Sequence, residues 1–233
     1  MSDEREMTII EHLEELRERL IKSMLALAVT TLISLFFSSQ LIKLMLVPAG
    51  DVRPVFLRPT EGVITYMRVA LLAGVALAMP VIVYQLAQFI LPGLRATEKG
   101  YLYFLLPGAV ISFVVGALFS YFVMLPASLR FLATFGNEIA EATWAVAEYI
   151  AFVTNLMFWS GVVFEAPLLA FFLAKLGIVT PQLLAKNRKY ALLASAILAA
   201  VITPTPDPFN MLLVMVPLVV LFEISVWVTK LAK

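Results

Sequence analysis

The chain contains no cysteine. That absence removes disulfides, thiolate metal sites and cysteine nucleophiles together. His12 is the only histidine, so no second imidazole is at hand for a HExxH metal site. Asp3, Asp51 and Asp207 all fall in loops between apolar runs, and no serine is set beside a base. The groups that proteolysis within a membrane would require are therefore missing. Charge is scarce as well: 14% of residues are Asp, Glu, Lys or Arg, against about a quarter in soluble domains. A net charge of +1 points to neither nucleic acid nor a strongly acidic partner.

What is present instead is apolar surface. Of 233 residues, 62% are apolar or aromatic, where soluble domains have roughly 45–50%. A water-soluble fold of this size cannot hide so much, so lipid is the second solvent and the fold class is an all-α integral membrane protein. A bilayer core of about 30 Å takes about 20 helical residues. Six segments emerge against that length within a single membrane domain, 1–233: about 23–47, 62–91, 101–125, 149–176, 190–202 and 211–229. Pro48 closes the first, and Pro80 is placed to kink the second. The fifth and sixth read as short. The fifth, at 190–202, covers only about 20 Å, so it either thins the bilayer or fails to cross it.

Loop charge orients these segments. Arg5, Arg17, Arg19 and Lys22 precede the first, Arg95 and Lys99 follow the second, Lys186, Arg188 and Lys189 follow the fourth, and Lys230 and Lys233 follow the sixth. The opposite loops hold Arg53, Arg58 and Arg130. By the positive-inside rule both termini are cytoplasmic. The opening stretch MSDEREMTIIEHLEEL lacks the apolar run ending in small residues of a cleaved signal peptide. Residues 1–22 read as a cytoplasmic amphipathic helix along the membrane surface, because Ile9, Leu13, Leu16 and Leu20 form one stripe. Its acids have a bland reading: Glu15 with Arg19 and Glu18 with Lys22 are i,i+4 pairs, each contributing about 0.2–0.5 kcal/mol.

Five stretches change the weight of those acids: HLEELRERL (12–20), PVIVYQLAQFILPGLRATEK (80–99), GALFSYFVMLP (116–126), FWSGVVFEAPLL (158–169) and ITPTPDPFNMLLVMVPLVVLFE (202–223). In this order, over almost the whole chain, they resemble the TatC family, the multispanning receptor of the twin-arginine protein translocase. The resemblance implies a concave bundle of six helices in the bacterial cytoplasmic (inner) membrane, with both termini cytoplasmic. It implies cargo in the form of folded proteins whose signals carry two adjacent arginines. It also implies TatA-like and TatB-like single-span partners, a homo-oligomer within the complex as an open question, the proton gradient as energy source, and no cofactor.

Carried over residue by residue, Glu15 and Glu98 match the family's two signal-binding acids, and Phe89 matches an aromatic of the same site. An arginine keeps its charge and offers a planar fork that fits a carboxylate bidentately. Leu94, His12 and Arg17 neighbour that site. Leu94 also reads as packing, His12 as a solvated side chain, and Arg17 as a partner of Glu14 or of a lipid phosphate. Tyr121 and Pro126 match the family too and are expected, with Pro48, to build a rim that ends the third span. In the outward loops, 127–149 reads as an amphipathic helix with Phe131, Phe135 and Trp144 at the interface.

Glu165 and Glu223 are the acids inside spans. A charge at mid-bilayer costs from about 2.5 kcal/mol upward, so Glu165 should face protein or a watered hollow, or take up a proton. Gly161, one turn earlier, leaves room for water or another helix. Glu223 lies close enough to the end of its helix to reach the interface or Lys230. The short fifth and sixth segments, polar at TPDPFN, form the expected docking face for partner helices. Met211 stands there where the family often has Gln, which leaves that contact unassigned. A secondary transporter built on Glu165 is the alternative reading, although no inverted repeat is visible.

Overall fold

With no water in the hydrocarbon, backbone groups must pair within the chain. The computed structural model describes residues 9–50, 52, 54–90, 100–135, 138, 143–203, 205 and 207–232, and in these the pairing is helical, with no β-strand. The elements are α1 (Ile9–Leu35), α2 (Ser38–Leu46), a 3-10 turn (Val47–Ala49), α3 (Glu61–Ile90), α4 (Gly100–Phe119), a π turn (Ser120–Met124), α5 (Leu125–Thr134), α6 (Val146–Phe164), α7 (Ala166–Lys175), α8 (Pro181–Lys186), α9 (Arg188–Ile202) and α10 (Pro208–Leu231). Four stretches are long and apolar enough to cross a bilayer: Glu61–Leu86, Leu105–Thr134, Val146–Lys175 and Pro208–Leu231. The pair α1 and α2, bent by 76°, makes a fifth if counted as one span. The remaining expected segment is α9, whose 15 residues rise only about 22 Å.

Helix α6 is the centre of the core. Tyr149, Ile150, Phe152, Val153 and Leu156 pack with Val69 and Leu72 of α3, Leu125 and Leu129 of α5, and Val214 and Leu218 of α10. Small residues set the closest approaches. Thr30 Oγ1 donates to the Gly74 carbonyl at 2.8 Å, and a Cβ on Gly74 would meet the Thr31 side chain and backbone. On α4, a Cβ at Gly116 would lie 2.5 Å from the Ser160 carbonyl oxygen. The room beside Gly161 is taken by another helix, not by water: the Phe113 ring of α4 fills it.

The ends of the spans depart from expectation in four places. Helix α1 runs unbroken from Ile9 to Leu35, so no corner separates the expected surface helix from the first span; the bend falls at Phe36 and Phe37. Helix α10 has 24 residues, about 36 Å, and is not short. It starts early because Asp207 caps it, accepting from the Asn210 N–H at 2.7 Å, with Pro208 in the first turn. Burial pushes the Asp207 carboxyl up, but hydrogen bonds from Asn210 and Thr205 prevail and hold it below the usual range. Tyr121 and Pro126 do not end the third span. The missing N–H of Pro126 is absorbed by the π turn, in which Leu125 N–H reaches back to Ser120 O, and the helix continues to Thr134. The expected helix over 127–149 likewise stops at Thr134 and resumes at Val146. Phe131 stacks on Phe209 at 4.3 Å and Trp144 on Tyr149 at 5.8 Å, while Phe135 stays exposed.

The rim does form, by a more specific device than a helix stop. Pro48 has no N–H, so the Leu44 carbonyl lacks its i+4 donor and is reached from the backbone by the Val47 N–H. Tyr121 donates its hydroxyl to that carbonyl at 2.8 Å, and Tyr149 donates to Met45 O at 2.7 Å. Beside them a single bridge joins Val55 to Ala145, through Val55 N–H to Trp144 O at 2.9 Å and Val146 N–H to Val55 O at 3.0 Å. Two loops far apart in sequence are thereby tied to the end of α2.

Tyr121→Phe and Tyr149→Phe should each destabilise the purified protein by about 1–2 kcal/mol, since each strips a hydroxyl donor from a backbone carbonyl at the end of α2. Denaturant unfolding in detergent measures this, and the buried Tyr149 should show the larger loss.

Candidate functional site

Near the start of α1, Glu15 sits against the far end of α3. Its i,i+4 partner Arg19 approaches by Nε at 2.9 Å and Nη2 at 2.5 Å, both on Oε1, so the expected self-pairing is present. Arg19 also donates from Nη1 to Gln85 Oε1 of α3 at 3.4 Å. Glu15 is thus held by an arginine that is itself anchored to a second helix. Its other oxygen, Oε2, is buried without a hydrogen-bond partner. His12 Nδ1 lies 3.9 Å away, beyond hydrogen-bond reach.

The His12 ring stacks on Phe89, with centroids 4.3 Å apart and planes 17° from parallel. His12 is therefore a piece of this site and not a free surface side chain. Glu15, His12 and Phe89 come together as the motifs require, with Arg19 and Gln85 added by the fold. Gln85 was findable, because it lies four residues before Phe89 on one face of α3. Arg17 is exposed and has no hydrogen bond or ion pair with a described residue. Glu98 and Leu94 lie outside the described residues. Chemically, the cluster offers one bare carboxylate oxygen beside an aromatic face, a setting for a guanidinium or another flat cation.

Glu165 stands at the junction of α6 and α7, where Pro167 interrupts the hydrogen-bond ladder. Its own N–H turns back to Val162 O at 3.1 Å. The carboxyl is half-buried, and Oε1 is buried with no partner. The expected hollow is displaced from it: a cavity of about 960 Å³ lies nearer the rim and is lined chiefly by α3 and α6 residues from Arg68 to Phe158, without Glu165.

Glu223 finds a different partner from the one expected. Arg188, at the start of α9, takes it bidentately, Nε to Oε1 at 2.7 Å and Nη2 to Oε2 at 2.8 Å. Lys230 instead lies over the Trp227 ring at 4.5 Å. Arg188 prevails because the packing of α9 on α10 sets its fork in line with both oxygens. Met211 packs against the main core and does not point outward as a docking residue. Among the described residues no cluster of His, Asp and Glu could hold a metal ion.

Comparison with known proteins agrees across three kinds of match. The family model for Sec-independent protein translocase protein (TatC) matches residues 11–217. The Sec-independent protein translocase protein TatC of Carboxydothermus hydrogenoformans is 36% identical over 233 residues, covering 99% of this chain and 96% of the relative. That of Aquifex aeolicus is 37% identical over 232 residues, covering 97% and 96%. The chloroplastic TATC of Pisum sativum is 35% identical over 234 residues, all of this chain and 66% of its own length. A crystal structure of the twin arginine translocase receptor TatC superposes with a TM-score of 0.86 at 37% identity, covering 95% of this chain and 99% of that one. A second, in DDM, gives 0.86 at 36%, covering 96% and 100%.

For the exposed pair Arg188 and Glu223, single and double replacements by Gln should show little or no coupling in unfolding experiments, because solvent screens both partners.

Proposed function

The chain belongs to the TatC family of Sec-independent protein translocase proteins, and from that premise we propose that it captures twin-arginine signals at Glu15 and Glu98 on the cytoplasmic side. It is a multi-span membrane component of that translocase. The observation that carries the proposal is the half-used carboxylate of Glu15. Arg19, itself anchored on Gln85, holds Oε1 and fixes the group in place, and Oε2 waits, buried and unpartnered, beside the His12 and Phe89 stack. A signal arginine completes the pairing without displacing Arg19, and its apolar neighbour packs on Phe89. Glu98 takes the second arginine. Lysine would keep the charge and lose the fork.

Downstream of capture, the six-span arrangement with both termini cytoplasmic puts the site in the inner membrane's cytoplasmic half. TatA-like and TatB-like single spans dock along α9 and α10, whose outer rows remain exposed at Leu193, Ile197, Val201, Val216, Val220 and Trp227. Glu165 acts after capture, as the one intramembrane acid whose carboxyl retains an unpartnered buried oxygen in a broken helix. The transporter alternative has no support of comparable kind.

Binding of a labelled signal peptide to purified protein in nanodiscs tests capture. Hydrogen bonds to charged groups contribute about 1.5–3 kcal/mol each, so Glu15→Gln and Glu98→Gln should each weaken an Arg-Arg signal by about 10- to 100-fold, and Lys-Lys should bind as weakly to the wild type. Equal binding of both signals, unchanged by the mutations, would sink the proposal. Glu165→Leu should bind signal normally and fail in transport; full export activity in vesicles would remove Glu165 from the mechanism.

A further inference from the structure

The cavity of about 960 Å³ beneath the rim is unequal at its two ends. Deeper in, its wall is hydrocarbon from Leu27, Leu72, Val75, Phe152 and Phe158. Toward the rim it carries one cation, Arg68, and one anion, Glu148. Both are exposed, and neither has a hydrogen bond or ion pair with a described residue, including each other. Arg68 lies about 10 Å along α3 from Glu61, and Glu148 about 3 Å below the start of α6 at Val146. Both therefore fall at the depth of headgroups and glycerol in the leaflet on the rim side.

An arginine on a span seeks an anion or water for its guanidinium, and at this depth a lipid phosphate is the nearest anion. An occupant with charge at one end and hydrocarbon at the other answers both halves of the cavity. An extended peptide does not. The polar groups lower in the wall are few and partly engaged: Asn155 donates its amide to Ile202 O at 2.7 Å, and Thr154 donates to Ile150 O at 2.7 Å. A peptide backbone laid there would leave its own N–H groups unpaired, whereas acyl chains have none to pair.

We propose that this cavity binds one phospholipid of the rim-side leaflet with an ammonium-bearing headgroup, its phosphate on Arg68, its ammonium on Glu148 and its acyl chains along α3 and α6. Phosphatidylethanolamine has this chemistry. Phosphatidylglycerol has the phosphate without the cation, so Glu148 discriminates against it.

Native mass spectrometry of the detergent-purified full chain, titrated with either lipid, tests this. The wild type should hold one phosphatidylethanolamine at least 10-fold more tightly than phosphatidylglycerol. R68Q should lose about 10-fold or more for both lipids, and R68K should keep most of the binding. E148Q should still bind phospholipid but no longer tell the two apart. Because both side chains are exposed, the variants should melt like the wild type without lipid, and phosphatidylethanolamine should raise the wild-type melting temperature more than that of R68Q. Equal retention of both lipids by the wild type, or equal retention by R68Q and the wild type, would overturn the assignment. In that case Arg68 simply snorkels to the rim.

Discussion

The last carbonyls of a span need donors, and the architecture of this chain depends on how those at the end of α2 are answered. Pro48 denies the Leu44 carbonyl its i+4 donor, and the Val47 N–H and a tyrosine hydroxyl from the third span share it. A second tyrosine, from α6, takes the next carbonyl along. Since α6 is also the centre of the core, the same helix that organises the interior is pinned to the end of α2. The bridge between Val55 and Ala145 completes the tie. The 76° bend between α1 and α2 is held at its corner by local turns, Phe36 N–H to Ile33 O and Phe37 N–H to Ser34 O, and α2 is fastened at its far end by the two tyrosines.

Against that frame of satisfied polar groups, the carboxylates divide by how far they are satisfied. Glu223 has both oxygens taken by Arg188. Glu15 has one taken and one bare. Glu165 has a buried oxygen with no partner and a helix break beside it. Glu61, at the start of α3, likewise keeps one buried oxygen without a partner. Buried polar atoms without partners are few in folded proteins and costly to keep, so these unfinished carboxylates are where a ligand or a proton would gain most. Complete pairing at Glu223 argues for a structural tie between α9 and α10.

Much of this was legible along the chain, and the remainder was not for identifiable reasons. Long apolar runs and their bounding charges marked the helices, and the pairing of Glu15 with Arg19 followed from helical spacing alone. The stacking of His12 on Phe89 joins residues far apart in sequence, and nothing local announces it. The bend at Phe36 and Phe37 has neither proline nor glycine to mark it, and the hydroxyls that fasten the far end of α2 lie in other helices. The early start of α10 could have been read from Asp207 and Pro208, a capping residue followed by a first-turn proline. Arg188 was visible as a loop charge, but its pairing with Glu223 needed the packing of α9 on α10.

Helix α1 has a mechanical consequence. It is an unbroken rod of 27 residues, about 40 Å long, and its tightest crossing with α3 is at Thr30 and Gly74. It is fastened to α3 at two more places along its length, by Arg19 on Gln85 and by His12 on Phe89. A rod fastened at three points along one partner cannot pivot on it, so the two helices move as a single beam. A displacement at Glu15 therefore reaches the Phe36 elbow, about 31 Å along the rod, undiminished and in the same direction.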